Sequence, residues 1–183
     1  MNKAVFLDRD GTINIDYGYV HKIKDFIFIP KAIEALRLLE KSEYKIVIIT
    51  SQSGIGRNYY TEQEFLVLNE YMKDELGKNG VRVDGVYYCP HAPEGGCECR
   101  KPKTKMLEDA AKDLGIDLNQ SYVVGDKTAD IKMGEDAGCK AILVKTGKGG
   151  KDSKYSINPD FVAEDLFRAV EWILGGKSIS NSK

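Results

Sequence analysis

Two aspartates one residue apart, Asp8 and Asp10, follow directly on the apolar run Ala4-Val5-Phe6-Leu7. A short run of that kind reads as a buried strand. Unpaired carboxylates at the mouth of a core strand are costly, so a metal ion or a tightly held proton must sit between them. Residues two apart at a strand end point to the same side, which lets both acids face one crevice while doing different work. A carboxylate nucleophile suits phosphoryl transfer through an aspartyl-phosphate. Attack by an anion on a phosphate dianion needs a cation in between, and oxygen-only ligands favour Mg²⁺.

Two further apolar runs end in polar chemistry. Lys45-Ile46-Val47-Ile48-Ile49 leads into Thr50-Ser51-Gln52-Ser53-Gly54, and Tyr122-Val123-Val124 leads into Gly125-Asp126. Asp126 supplies a third carboxylate. Asp130 follows one helical turn later, where it suits a metal-bound water or a partner for Lys127. Asp10, as an acid, can protonate a leaving alcohol and then take a proton from the attacking water. The Thr50 hydroxyl and the Lys101 ammonium suit phosphoryl oxygens on which charge develops.

Each signal alone has a plainer explanation. A lone Asp-x-Asp most often caps a turn or helix, and Thr50-Ser51 or Gly125-Asp126 can do the same. Asp8-Arg9-Asp10-Gly11-Thr12 is sharper. With each residue type near ~5% of average composition, four fixed positions recur by chance about once in 10⁵ windows. The order and spacing of all three segments after buried strands carry the joint reading.

A second constellation is Cys89-x-His91-(five residues)-Cys97-x-Cys99. Three thiolates and an imidazole that close together can complete a tetrahedron, the set that structural Zn²⁺ takes. The alternative is a group of reduced cysteines on a surface loop. Against it stand Gly95-Gly96 with Pro90 and Pro93, a tight knuckle without apolar packing. In a reducing compartment such clustering points to metal rather than disulfides. Arg100 and Lys101 follow the last ligand at once, so the metal would hold the loop that presents both cations. Cys139 reads as core, and His21 as a loop residue.

The elements that must position these groups alternate. Pro30 is expected to open a helix with Ile33, Leu36 and Leu39 on one face. A capping box at Thr61 and Glu64 opens a helix carrying Phe65, Leu68, Met72 and Leu76, closed by Lys78-Asn79-Gly80. Val86-Tyr87-Tyr88 is a short strand, and residues 104 to 114 form a helix that stops at Gly115. After Asp126 a helix runs to Gly138, and Lys140–Val144 is the fifth strand. Lys148 to Lys154 reads as a mobile Gly/Lys loop, Phe161-Val162 as a short edge strand, and Leu166, Val170, Trp172 and Ile173 as a last helix. This alternation predicts an α/β fold of three layers, with a central parallel sheet and helices on both faces. Ligands in such folds bind outside the carboxyl ends of the strands, where Asp8, Thr50 and Asp126 all lie.

Length and composition set limits. The 183 residues suit one domain over residues 1–175 with a zinc loop at 89–99, followed by a polar tail, 176–183, expected to be disordered. With 27 basic and 28 acidic residues the net charge is −1, which gives no electrostatic footprint for nucleic acid. No segment approaches the ~18 apolar residues of a membrane span. No basic stretch leads into a short apolar one at the N-terminus, so the expected location is cytoplasmic. Nothing marks an obligate interface, and a monomer is expected.

The segments Asp8-Arg9-Asp10-Gly11-Thr12, Thr50, Lys101 and Gly125-Asp126-x-x-x-Asp130 resemble the four motifs of the haloacid dehalogenase (HAD) superfamily. The resemblance extends to Asp16-Tyr17-Gly18-Tyr19-Val20-His21, Thr50 to Ile55, Tyr87-Tyr88-Cys89-Pro90-His91, Cys97-x-Cys99-Arg100-Lys101-Pro102 and Gly125-Asp126-Lys127. Together these are similar to the D-glycero-D-manno-heptose 1,7-bisphosphate 7-phosphatases, relatives of the histidinol phosphatases, over about residues 3–170. That resemblance implies a Rossmann-like HAD fold and release of the 7-phosphate, giving a heptose 1-phosphate for nucleotide-activated heptose biosynthesis. It implies Asp8 as nucleophile, Asp10 as proton donor, and Asp8, Asp10 (through its backbone carbonyl) and Asp126 as Mg²⁺ ligands. Thr50 and Lys101 would stabilise the phosphoryl group and Arg100 would help recognise the substrate. Asp16, Tyr17, Gly18, Tyr19, Ser51, Gln52, Ser53 and Lys127 would line the substrate site. Ser51 stands where the family usually has Asn, and the loop between His91 and Cys97 is shorter than in many members.

Chain length adds one inference. Between Asp8 and Thr50 there is room for a loop and a helix but no inserted cap domain. The zinc loop and the Asp16–His21 loop must then enclose a small sugar phosphate in an open cleft. A substrate with its own handle, such as a second phosphate for Arg100, suits that cleft. Water is hard to keep out of it, which disfavours a phosphomutase. Two rivals stand beside this reading: a histidinol-phosphate phosphatase with the same machinery, and a zinc-stabilised binding module whose acidic edge is only a cation site.

Overall fold

The computed structural model describes residues 1–175, so the predicted tail lies outside the described residues. Six parallel strands form one sheet: β1 Lys3–Leu7, β2 Tyr44–Ser51, β3 Gly85–Cys89, β4 Tyr122–Gly125, β5 Lys140–Val144 and β6 Phe161–Ala163. Their order is β3-β2-β1-β4-β5-β6. The chain builds outward from β1 in one direction, then returns to its other side. β1 therefore pairs with both β2 (Leu7 beside Ile48) and β4 (Leu7 beside Val124). Between β1 and β4 the direction of winding reverses, and a crevice opens at the carboxyl ends of the strands.

Alternation along β1 explains the three layers. Val5 and Leu7 face a core shared with helices α1 (Ala32–Glu40), α3 (Glu62–Lys78) and α6 (Leu166–Ile173). Ala4 and Phe6 face a second core with Met106, Leu107 and Ala110 of α4 (Lys105–Leu114) and Met133 of α5 (Thr128–Asp136). All four strand residues are fully buried. Burying each larger side chain contributes roughly 1.5–3 kcal/mol, and a strand apolar on both faces can gain it only between two helical layers. Between β1 and β2 the chain forms a loop, one 3-10 turn at Ile23–Asp25, and α1.

Three local expectations change. α1 begins at Ala32 rather than at Pro30, because Lys31 adopts a left-handed conformation (φ 65°) that no helix propagates through. A four-residue helix α2, Ser53–Gly56, follows β2 directly; so short a turn has no periodicity to read. The Lys148–Lys154 loop is pinned rather than loose. The Lys148 amide donates to Asp126 Oδ2 at 2.6 Å, the Gly150 amide donates to the Asp126 carbonyl, and Asp152 accepts from the Thr128 amide and hydroxyl.

The capping box of α3 is complete. Thr61 Oγ1 accepts from the Glu64 amide, and the Glu64 carboxylate accepts from the Thr61 amide. Thr61→Ala should lower stability by about 1 kcal/mol, seen as a melting-temperature drop of roughly 2–4 °C, with kcat unchanged.

Candidate active site

The sheet edge gathers the predicted groups. The Asp8 amide continues the ladder onto the Val124 carbonyl at 3.0 Å, so its side chain emerges where β1 and β4 end. Asp8 is 6% exposed, and its Oδ1 accepts from Lys101 Nζ at 2.7 Å. Lys101 also donates to Asp130 Oδ1 at 2.6 Å. Asp130 Oδ2 in turn accepts from the Lys127 amide, which fixes the start of α5. Lys101 comes from the loop after β3, not from a strand. It reaches the edge because the cysteine segment returns the chain to it.

Among the described residues Asp126 has no ion-pair partner; its Oδ2 accepts from the Lys148 amide, whereas its Oδ1 is buried without a hydrogen-bond partner there. Oxygens of Asp8, Asp126 and Asp130 lie within 4.8 Å of one another. The backbone is drawn tight around Asp126. A Cβ on Gly11 (φ +93°) would come within 2.5 Å of its Oδ2, and one on Gly147 (φ +60°) would overlap the same atom. Burial, then the charge of Asp8, push the Asp126 carboxyl up to about 8. Asp8 behaves oppositely: burial would raise it, but the Lys101 and Lys127 ammonium groups hold it below the usual carboxylate range. An orphaned carboxylate oxygen in an all-oxygen cluster fits a hard divalent cation.

Asp10 points another way. Its carboxylate accepts from the buried Arg9 guanidinium (Nη2–Oδ2 2.9 Å), from Asn14 Nδ2 at 3.0 Å and from Gln52 Nε2 at 3.2 Å. With the carboxylate engaged in this way, a contribution from Asp10 to an ion falls to its backbone carbonyl. Arg9, Asn14 and Tyr60 were not singled out as site residues. Arg9 and Asn14 flank the acid pair, the one signal that pointed to them; nothing marked Tyr60.

A cleft of about 730 Å³ opens over this edge. Asp8, Asp10, Asp16, Gly18, Tyr19, Thr50, Ser51, Gln52, Ser53, Arg100, Lys101 and Lys127 all line it. Tyr17 is 63% exposed and is not among the lining residues. Lys127 Nζ lies 3.5 Å from Asp16 Oδ2, which ties the loop after β1 to the start of α5. The rim also includes Lys148, Asp152 and Lys154 from the pinned loop and Tyr155 just after it, none of them anticipated.

The cysteine segment forms one wall. Cys89 ends β3, a 3-10 turn at Pro93–Gly95 reverses the chain, and Cys97 and Cys99 come back beside it. One ligand atom each from Cys89, His91, Cys97 and Cys99 falls within 4.8 Å of the others, with Cys89 Sγ to Cys97 Sγ at 3.5 Å and His91 Nδ1 to Cys99 Sγ at 3.3 Å. Burial pushes the Cys89 thiol up to about 12. Against the burial that would raise it, hydrogen bonds from Cys89 and Cys99 draw Cys97 down to about 7. Four soft or borderline donors converging on one point can hold a metal ion.

Comparison with known proteins agrees with this arrangement. A HAD-hydrolase-like family model matches residues 98–169. The D-glycero-β-D-manno-heptose-1,7-bisphosphate 7-phosphatase of Haemophilus influenzae is 54% identical over 155 residues, 81% of this chain and 84% of that protein. The chain belongs to that phosphatase family. A Pasteurella multocida member is 49% identical over 186 residues, covering 97% of this chain and all of that one. Among solved structures, the D,D-heptose 1,7-bisphosphate phosphatase of Bordetella (B. bronchiseptica), complexed with magnesium and phosphate, superposes with a TM-score of 0.88. It is 33% identical and covers 94% of this chain and 98% of that one.

The Asp126 carboxyl gives the phosphatase a measurable signature. Its folded value of about 8 lies above the ordinary 3.8, so between those values the folded state binds the extra proton. Stability of the chelator-treated protein should therefore fall as pH rises from about 4 to about 8. A divalent cation should restore it most at the alkaline end, where no proton competes. Melting temperature against pH, with and without added cation, checks both signs.

Proposed function

We propose that this phosphatase hydrolyses the 7-phosphate of D-glycero-β-D-manno-heptose 1,7-bisphosphate, releasing phosphate and heptose 1-phosphate. The observation that carries this reading is the meeting of Asp8, Thr50, Lys101 and Asp126 under one cleft, in a chain 54% identical to a relative so named. Residues 1–175 act as one phosphatase domain.

Mg²⁺ is the proposed ion at Asp8, Asp126 and the Asp10 carbonyl, where it would neutralise the approach of one anion to another. Asp8 Oδ attacks phosphorus, and the bond from phosphorus to the substrate's O7 breaks. Asp10 gives its proton to the departing O7. Lys101, anchored by Asp130, and the Thr50 hydroxyl hold non-bridging oxygens of the phosphoryl group. Asp10, now a carboxylate, takes a proton from a water that attacks the aspartyl-phosphate, freeing phosphate and Asp8. Arg100, which lines the cleft with its guanidinium 3.4 Å from the His91 carbonyl, would meet the remote phosphate. Asp16 to Tyr19, Ser51 to Ser53 and Lys127 bind the sugar, with Tyr17 at the outer edge of that loop.

Zn²⁺ is the proposed ion of the cysteine cluster, with a structural part. Arg100 and Lys101 follow Cys99 directly, so closing the knuckle sets where both cations stand. The protein is proposed to work as a cytoplasmic monomer on a small sugar phosphate.

Phosphate release from the heptose bisphosphate should require Mg²⁺, and its kcat/KM should exceed that for histidinol phosphate by at least about 10²-fold, a discrimination of ~2.7 kcal/mol. Asp8→Asn should abolish turnover while leaving the fold intact, checked by circular dichroism. Retained turnover would overturn the nucleophile assignment. Elemental analysis should find one equivalent of zinc. Cys97→Ser should lower both metal content and stability, and kcat with them, because the Lys101 loop is no longer held.

A further inference from the structure

Gln52 stands between two groups of the proposed chemistry. Its Nε2 donates to Thr50 Oγ1 at 2.8 Å and to Asp10 Oδ2 at 3.2 Å, and its Oε1 accepts from the Tyr60 hydroxyl at 2.5 Å. All four side chains but that of Asp10 are nearly fully buried. An amide has two faces that differ only in which atom is the donor, so a neighbour must choose between them. The Asp10 oxygen that faces Gln52, Oδ2, also accepts from Arg9 and so is an acceptor, which requires the face toward it to be the NH₂. The opposite oxygen then meets Tyr60, whose hydroxyl must donate.

We propose that Tyr60 is a positioning residue that acts through Gln52 to aim the Thr50 hydroxyl and the Asp10 carboxyl for phosphoryl transfer. The inference rests on the phosphatase reading and deepens it. Because Thr50 Oγ1 accepts from Gln52, its own proton is directed away from the amide and toward the cleft, where a phosphoryl oxygen can take it. The same amide, with Arg9 and Asn14, holds the Asp10 side chain in one orientation. Were the amide reversed, its oxygen would face the accepting Oδ2 of Asp10, and the Thr50 hydroxyl would turn its proton to that oxygen and away from the cleft.

The setting of Tyr60 fits that task. Its ring is stacked on His21 (centroids 4.7 Å apart, planes 6° apart), and a Cβ on Gly54 of α2 would overlap it. The phenol is thus seated by the substrate loop on one side and by the turn after β2 on the other. Burial pushes its hydroxyl up to about 12, so it stays a donor throughout the working range. Tyr60 borders the cleft, but its hydroxyl is engaged with Gln52 Oε1, so the route it offers to Thr50 and Asp10 runs through that amide.

The test is a double-mutant cycle on Tyr60→Phe and Gln52→Ala, with p-nitrophenyl phosphate and the heptose bisphosphate as probes. Tyr60→Phe keeps the ring and its stacking, so folding is checked by a cooperative melt lowered by no more than the roughly 2–4 °C that loss of one buried hydrogen bond implies. It should lower kcat about tenfold with KM changed less than about twofold, the order expected from loss of one buried hydrogen bond. The double variant should be no slower than Gln52→Ala alone, since the two groups act as one. Additive losses, or kcat equal to wild type in Tyr60→Phe, would overturn the proposal. A second readout does not need turnover. The Gln52 side-chain amide protons, followed by ¹⁵N NMR, should exchange with solvent at least tenfold faster in Tyr60→Phe. Unchanged exchange would also overturn the proposal. Wild-type protein inactive on both probes would instead sink the phosphatase reading, and the amide exchange would still decide whether Tyr60 orients Gln52.

Discussion

Three carboxylates crowd the carboxyl ends of β1 and β4, and one buried ammonium, Lys101, bridges two of them. Most of the local architecture answers that imbalance. Like charges this close, removed from water, repel strongly, and the cost is met by fixed donors or by taking up a cation. Asp130 is neutralised by Lys101 and held by the Lys127 amide. Asp126 keeps an unpartnered oxygen and carries the strain as a raised carboxyl. The glycines at 11 and 147 are where they are because the backbone passes too close to Asp126 for a side chain.

The same constraint gives the cysteine segment its place in the fold. A lysine that must reach a buried carboxylate pair from a loop needs that loop held, and Cys89, Cys97 and Cys99 already pack with the second core. Four potential ligands converging within 4.8 Å just ahead of Arg100 and Lys101 would, with the proposed metal bound, cross-link the loop. Gly56 of α2 packs against the segment as well, with its amide donating to the Pro90 carbonyl at 2.8 Å. The knuckle, the turn after β2 and the site lysine thus form one supported unit. With only a loop, one 3-10 turn and α1 between β1 and β2, the Asp16–His21 loop, the knuckle and the segment after Lys148 line the cleft.

Where the sequence could be read, it was read through local patterns that survive burial. The apolar runs ending in Asp8, Thr50 and Asp126 mark strands whatever surrounds them, and Thr61 with Glu64 marks a helix start through two local hydrogen bonds. The spacing of Cys89, His91, Cys97 and Cys99 carried its own geometry. Patterns depending on backbone conformation were less legible. The left-handed turn at Lys31 moved the start of α1 past Pro30, and α2 was too short for any period. The Lys148–Lys154 loop, rich in glycine and lysine, looked loose because its anchors, Asp126 and Thr128, lie at least twenty residues away in sequence.

Composition and order along the chain therefore determined the three-layer parallel fold and the acids, hydroxyl and lysine delivered to one strand edge, since each depends on neighbours within a few residues. Only the tertiary structure decided how those groups divide. Lys101 bridges Asp8 and Asp130, Asp126 is left short of a partner, Asp10 turns toward Arg9 and Gln52, and Tyr60 stands behind that amide. The bonds of Lys101 to Asp130 and Asp8 and of Gln52 to Asp10 join residues 29, 93 and 42 apart, and they follow from the order in which strands pack. No local pattern encodes that order, because the energy that selects it belongs to the assembled core.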